Sequence, residues 1–318
     1  MTLAWLAALL CAGLMGFAIQ RGATCTVAAV DEVLNHRRAH RLAAMLEASL
    51  WVSGGLALAQ VARWPNSMPD GYEASGWTVL GGVLLGLGAW VNRACVFGAV
   101  ARLGSGEWAY AATPVGYFVG CLSVMRIFSR PAPGHFQAAL ASLPGPGAFA
   151  ALFVVFALWR AGPAVLALRR QDRGEWLSQK VWAPHAATIV IGLSFVITLL
   201  LAGRWAYTDV LADLAQAMHG MRLELTLPTL LLVALYAGAL VGGVTAGRWQ
   251  HTAASAPQVL RCFCGGVLMG WGSLLIPGSN DGLILIGIPM LRPYAWLAFA
   301  CMFATVATAM KIQATREP

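Results

Sequence analysis

The sequence predicts an all-α polytopic membrane protein, and three observations predict it. Hydrophobic residues make up 59% of the 318 residues and charged residues 11%, against about 25% charged in soluble globular domains. Mean hydropathy is +0.69, and the apolar residues fall in runs near the ~20 that a helical crossing needs. The basic residues sit in the short breaks between those runs, as the positive-inside rule expects. The net charge of +8 therefore reads as membrane orientation and not as a nucleic-acid footprint.

Taken in order, the runs predict about nine transmembrane helices. They cover residues 3–20, 41–62, 76–91, 108–128, 148–168, 186–203, 227–246, 258–275 and 293–311. The first run lacks the basic flank of a cleaved signal and reads as a span. A Pro/Gly-rich stretch, 130–147, precedes the fifth span, and a basic stretch, 169–180, follows it.

Four segments between spans, 25–35, 95–104, 208–220 and 279–291, are apolar or amphipathic but too short to cross. Each follows a break containing Gly, Asn, Pro or Arg, so they read as re-entrant half-helices. Non-helical backbone at membrane depth persists only where it is buried in protein or lines a cavity, so the breaks mark a pathway.

The unit of span, break, half-helix and span occurs four times. GFAIQRGATCTVAAV (16–30) parallels GAWVNRACVFGAVAR (88–102), WGSLLIPGSNDGLIL (271–285) is a weaker copy, and LLLAGRWAYTDVLAD (199–213) the most diverged. Two copies fill a first repeat, 1–130. A connector with the fifth span, 131–182, leads to a second repeat, 183–311, and a short tail, 312–318. One connecting span inverts the second repeat relative to the first, a common transporter plan. The arginines of 35–41 and 169–180 place those segments inside a bacterial cytoplasmic (inner) membrane, with the N-terminus outside and the C-terminus inside.

A half-helix N-terminus aimed into the membrane presents free N–H groups and the positive end of a dipole, which favour an anion. Cys25, Cys95 and Ser279 occupy the first turn of three such segments. A thiol is soft, polarizable and a weak donor, suited to a sulfur-bearing solute. Asn280 adds a donor, and Asp281 fits either an N-cap or the pathway. Arg21 and Arg93 lie beside two breaks, where a cation neutralises an anion or caps free carbonyls. Cys262 and Cys264, in the eighth span, are secondary candidates. Cys11, Cys121 and Cys301 read as packing residues.

The seven cysteines are odd in number and lie in apolar runs, which argues against a disulfide framework. No spacing suits a metal, and nothing calls for a cofactor. The chain carries no Walker motif. It reads as a permease and not an enzyme. An intramembrane thiol redox protein, or a membrane subunit or sensor for a sulfur or selenium compound, remain alternatives.

Three stretches carry a family resemblance: RGATCTVAAVDEV (21–33), NRACVFGAVARLGSGEW (92–108) and RCFCGGVLMGWGSLLIPGSNDGLILIGIP (261–289). In them the chain resembles the YeeE/YedE family of sulfur-transport membrane proteins, and the spaced motifs extend over nearly the whole length. The resemblance implies inverted repeats whose short helices meet near the centre. It also implies thiosulfate, or a related small sulfur-containing anion, as substrate, passed between cysteines by hydrogen bonds. The first two cysteines fall on Cys25 and Cys95. The third falls on Ser279, because the family pattern P-G-C-N-x-G reads Pro277-Gly278-Ser279-Asn280-Asp281-Gly282 here. A cytoplasmic sulfur carrier, if one serves this protein, is expected to be a separate chain.

Overall fold

The computed structural model describes residues 3–64, 71–125, 127–128, 131, 146–170, 181–220, 226–247 and 249–316. Among them the architecture is helical, with an isolated bridge between Glu107 and Thr252. Seven helices are long and apolar enough to cross a membrane: Leu3–Asn35, His40–Val61, Gly76–Gly104, Pro184–Ala202, Leu227–Thr245, Ala256–Leu275 and Pro293–Ala314. The first and third of these include a break and its half-helix.

The first half comprises α1 (Leu3–Gly22), α2 (Thr26–Asn35), α3 (His40–Val61), α4 (Gly76–Asn92), α5 (Val96–Gly104) and α6 (Ala112–Val124). The expected fourth span is thus a 13-residue helix entered through a 3-10 turn, Trp108–Ala111. A connecting helix, α7 (Pro146–Arg170), follows. The second half comprises α8 (Pro184–Ala202), α9 (Tyr207–Gly220), α10 (Leu227–Thr245), α11 (Ala256–Leu275), α12 (Asn280–Gly282) and α13 (Pro293–Ala314). A π-helical turn, Leu283–Gly287, continues α12. The fourth expected half-helix, 279–291, is therefore irregular and not a plain α-helix.

Local chemistry sets the helix starts. Ser75 and Thr78 form a reciprocal capping box at α4, and Ser255 and Gln258 form another at α11. Proline occupies the first turn of α8, α10, α11 and α13, where its missing N–H costs nothing.

The two halves pack with a shared pattern. α1 packs on α10 as α8 packs on α3, and α4 packs on α13 as α11 packs on α6. α2 lies against α13 as α9 lies against α6, and α5 touches α10 as the π-turn touches α3. α1 with α8, and α4 with α11, form the two pairs that exchange with themselves. Swapping the halves therefore carries these packings onto one another, as a two-fold relation requires.

Small residues let the long helices meet this closely, as in other membrane bundles. Gly13 and Gly238 bring the backbones of α1 and α10 together. At the α4–α11 crossing a Cβ on Gly88 would lie 2.7 Å from the carbonyl oxygen of Gly265.

Candidate functional site

Three helix breaks share one backbone device. Thr24 N–H donates to the Ile19 carbonyl at 3.3 Å, Ala94 N–H to Ala89 at 3.1 Å, and Gly278 N–H to Ser273 at 2.9 Å. Each reaches five residues back, the long bond of a Schellman end. Positive φ angles at Ala23 (46°), Arg93 (60°) and Pro277 (25°) turn the chain. Two residues beyond each lies an extended residue, Cys25, Cys95 or Ser279, that caps the next helix. Its own carbonyl accepts the first bond of that helix, from Ala29, Ala99 or Leu283.

The breaks converge. The Thr26 N–H, first in α2, donates to Cys95 Sγ at 3.1 Å, and the Cys25 and Cys95 thiols lie within hydrogen-bonding reach of each other. Gly98 makes room for this pair, since a Cβ there would sit 2.5 Å from Cys25 Sγ. Asn280 Nδ2 donates to Thr26 Oγ1 at 3.3 Å, and α12 packs on α5. Ser279 and Asn280 are fully buried, and Ser279 Oγ and Asn280 Oδ1 have no hydrogen-bond partner. An orphaned buried polar atom costs about 1–3 kcal/mol; of these two, the Ser279 hydroxyl can donate to a guest beside the thiol pair, whereas Asn280 Oδ1 can only accept.

Asp281 faces elsewhere. Its carboxylate accepts the Thr208 N–H at 3.1 Å and the Thr208 hydroxyl, which caps the start of α9 and ties the third and fourth breaks together. Asp281 therefore caps a neighbouring half-helix and not its own, which Asn280 begins and Ser279 caps.

Arg21 and Arg93 occupy equivalent breaks but differ. Arg21 is fully buried, donates from Nη2 to Thr245 Oγ1 at 2.9 Å, and lies over the Phe17 ring. It fastens α1 to the end of α10. Arg93 is exposed and lines a cavity of about 320 Å³ that also meets Cys25, Arg41 and Arg102. Cys262 is buried, next to Thr113 and Arg261. Cys264 is exposed on α11 and stands apart from the thiol pair.

Sequence reasoning missed several participants. Asn92 Nδ2 donates to the Ala94 carbonyl at 2.8 Å, and its Oδ1 accepts from Thr113 Oγ1 at 3.0 Å, which clips the break before Cys95. Gln20, five residues before Cys25, donates to Ser105 Oγ at 3.2 Å. Arg41 Nη1 donates to the Ala23 carbonyl at 3.2 Å. Ser49 and Ser53 of α3 donate to the carbonyls of Ile284 and Pro289 at 2.6 and 2.8 Å, which supplies partners for the irregular backbone after α12. The repeated Gln20-Arg21 and Asn92-Arg93 pairs were the available signal for the first two.

A membrane bundle whose broken helices bring thiols and free polar atoms to one buried point has the build of a small-solute carrier. The chain belongs to the sulphur transport family, whose sequence pattern matches residues 21–308. It is similar to the thiosulfate transporter TsuA of Escherichia coli (strain K12), with 26% identity over an alignment covering 96% of this chain and 93% of that protein.

Proposed function

We propose that the protein is a permease that takes up thiosulfate, or a related small sulfur-containing anion, across the bacterial cytoplasmic membrane. The observation that carries this is the buried cluster of Cys25, Cys95, Ser279 and Asn280, with an unpartnered Ser279 hydroxyl and a cavity reaching one of its thiols. The ion meets Ser279 and Asn280, is handed to Cys95 and then to Cys25, and leaves by the cavity that opens on Cys25. Neutral S–H and O–H groups guide a dianion without adding negative charge to its route. Asn280 contributes the amide proton that Thr26 does not take.

In this reading the N-terminus is outside and the C-terminus inside, the second half is inverted relative to the first, and the open cavity beside Cys25 faces the cytoplasm. Arg93 belongs to the route, whereas Arg21, Asp281, Cys262 and Cys264 support the frame around it. Any sulfur carrier that receives the ion is a separate cytoplasmic protein.

Flux into proteoliposomes tests the proposal, with thiosulfate, sulfite, sulfate and selenite compared. Thiosulfate is expected to enter faster than sulfate, and equal rates for all four would refute a thiol-selected route. The closeness of the two thiols also favours a second reading, a redox protein that cycles between dithiol and disulfide. A Cys25–Cys95 disulfide accumulating under turnover, with no net flux, would decide for it.

A further inference from the structure

Arg41, Arg93 and Arg102 come from three different elements. Arg41 is in the first turn of α3, Arg93 is the left-handed cap that ends α4, and Arg102 is in the last turn of α5. All three line the ~320 Å³ cavity that ends on Cys25, at the small end of the roughly 300–1,000 Å³ typical of ligand sites. Asp31 is the one acidic residue lining this cavity among the described residues, and its Oδ1 accepts from Asn35 Nδ2 at 2.7 Å.

Much donor capacity in this wall is unspent. A guanidinium carries five N–H donors. Arg41 places one of them on the Ala23 carbonyl. Arg102 donates from Nη1 to Glu107 Oε2 at 3.2 Å and lies over the Tyr110 ring. No hydrogen bond engages the Arg93 guanidinium among the described residues. Arg93 also lines three adjoining cavities of about 380, 200 and 640 Å³, so it stands where they meet the one that leads to the thiol.

We propose that this cavity is a staging site for a small divalent oxyanion, which Arg41, Arg93 and Arg102 hold by its oxygens before or after it meets Cys25. The role in transport rests on the permease reading; the binding site itself does not. Three guanidiniums against the Asp31 carboxylate and the Glu107 carboxylate that pairs with Arg102 leave a net positive cleft with apolar walls, which concentrates an anion there. Guanidinium forks match tetrahedral oxyanions. The site recognises oxygens and charge, not sulfur. It therefore accepts sulfate as readily as thiosulfate, and the discrimination between them falls to the thiols beyond.

The test is equilibrium binding of labelled sulfate and labelled thiosulfate to the full chain in nanodiscs, together with uptake kinetics in proteoliposomes. Both ions are expected to bind with similar affinity, weakening as salt rises. Arg93→Gln and Arg102→Gln should each weaken both ions about three- to tenfold, the scale of one charge-assisted hydrogen bond at a part-exposed site. Arg93→Lys should recover part of the Arg93→Gln loss. For flux started from the cavity side, the two glutamine variants should raise KM with little change in maximal rate. Affinities unchanged within twofold in both glutamine variants would overturn the proposal, as would thiosulfate binding that sulfate does not displace. Arginine-dependent binding of both ions without any thiosulfate flux would sink the permease reading and leave the staging site standing.

Discussion

The helix breaks of the two halves follow one backbone plan and carry different chemistry. In the first half, Cys25 and Cys95 cap adjacent half-helices with thiols that reach each other, and a cavity opens onto one of them. In the second half, the Asp281 carboxylate clasps the start of α9, while Ser279 lies fully buried beside it. One pair of breaks is soft and approachable, and the other is hard and clasped. The shared packing pattern brings the half-helix tips together, and in the proposed route side-chain identity decides which of them handles the ion and which holds the frame.

The largest expected effect comes from removing the soft side. Cys25→Ala and Cys95→Ala should each lower thiosulfate uptake at least about tenfold, because a lost hydrogen bond to a charged ion is worth roughly 1.5–3 kcal/mol. Cys25→Ala shrinks a buried side chain slightly and should move the thermal transition little, whereas Cys95→Ala also leaves the Thr26 N–H without its Sγ acceptor and should melt a few degrees lower. Uptake at the parental rate in either variant would break the division between the halves.

The clasp is tested next, by stability. Asp281→Ala leaves the Thr208 N–H and hydroxyl buried without an acceptor, at a cost of about 2–3 kcal/mol. The melting temperature in detergent should drop by several degrees, and Asp281→Asn, which keeps one acceptor oxygen, should drop less. A variant that keeps its stability but changes ion selectivity would move Asp281 from the frame to the route.

How much of this was legible in the sequence follows the range of the interactions. The breaks announce themselves locally, because Arg-Gly, Asn-Arg and Pro-Gly interrupt apolar runs, and the repeat of a cysteine after two of them singled out Cys25 and Cys95. The Asp281–Thr208 clasp joins residues 73 apart, and no periodicity encodes such a pairing. Arg41 was read as part of an orientation signal, since a loop arginine at a helix start looks the same whether it faces water or a cavity. Arg21 and Arg93 looked equivalent by position, yet Thr245 and Phe17 take up the first and leave the second exposed. Motif position located the backbone device, and only packing revealed where each side chain turns.

A smaller effect tests the fit of the thiol pair. A Cβ at Gly98 would lie 2.5 Å from Cys25 Sγ and 3.1 Å from Cys25 Cβ. Gly98→Ala must then displace the thiol, with an overpacking cost of about 1–3 kcal/mol. Maleimide labelling of Cys25 from the cavity should change in rate, and uptake should fall less than in Cys25→Ala. Unchanged labelling and uptake would mean that Cys25 occupies that space only loosely.

The smallest expected effect bears most directly on the contrast between the halves. Ser279→Cys would put a third thiol at the third Schellman break and make the two sides chemically alike. The side chains are close in size, and the serine hydroxyl has no partner to lose, so folding should be unaffected. A thiol donates more weakly than a hydroxyl but is softer and more polarizable. The variant should therefore favour thiosulfate over sulfite and sulfate by roughly two- to fivefold relative to the parent, the scale of exchanging one neutral hydrogen bond of about 0.5–1 kcal/mol. Measured as a ratio of uptake rates in the same vesicles, this comparison is insensitive to the amount of protein inserted. An unchanged ratio would mean that the ion passes Ser279 without touching it and that selection is complete at Cys25 and Cys95. A shift toward sulfate would reverse the assignment of soft and hard ends, with the thiols acting only as neutral spacers and Ser279 reading the ion.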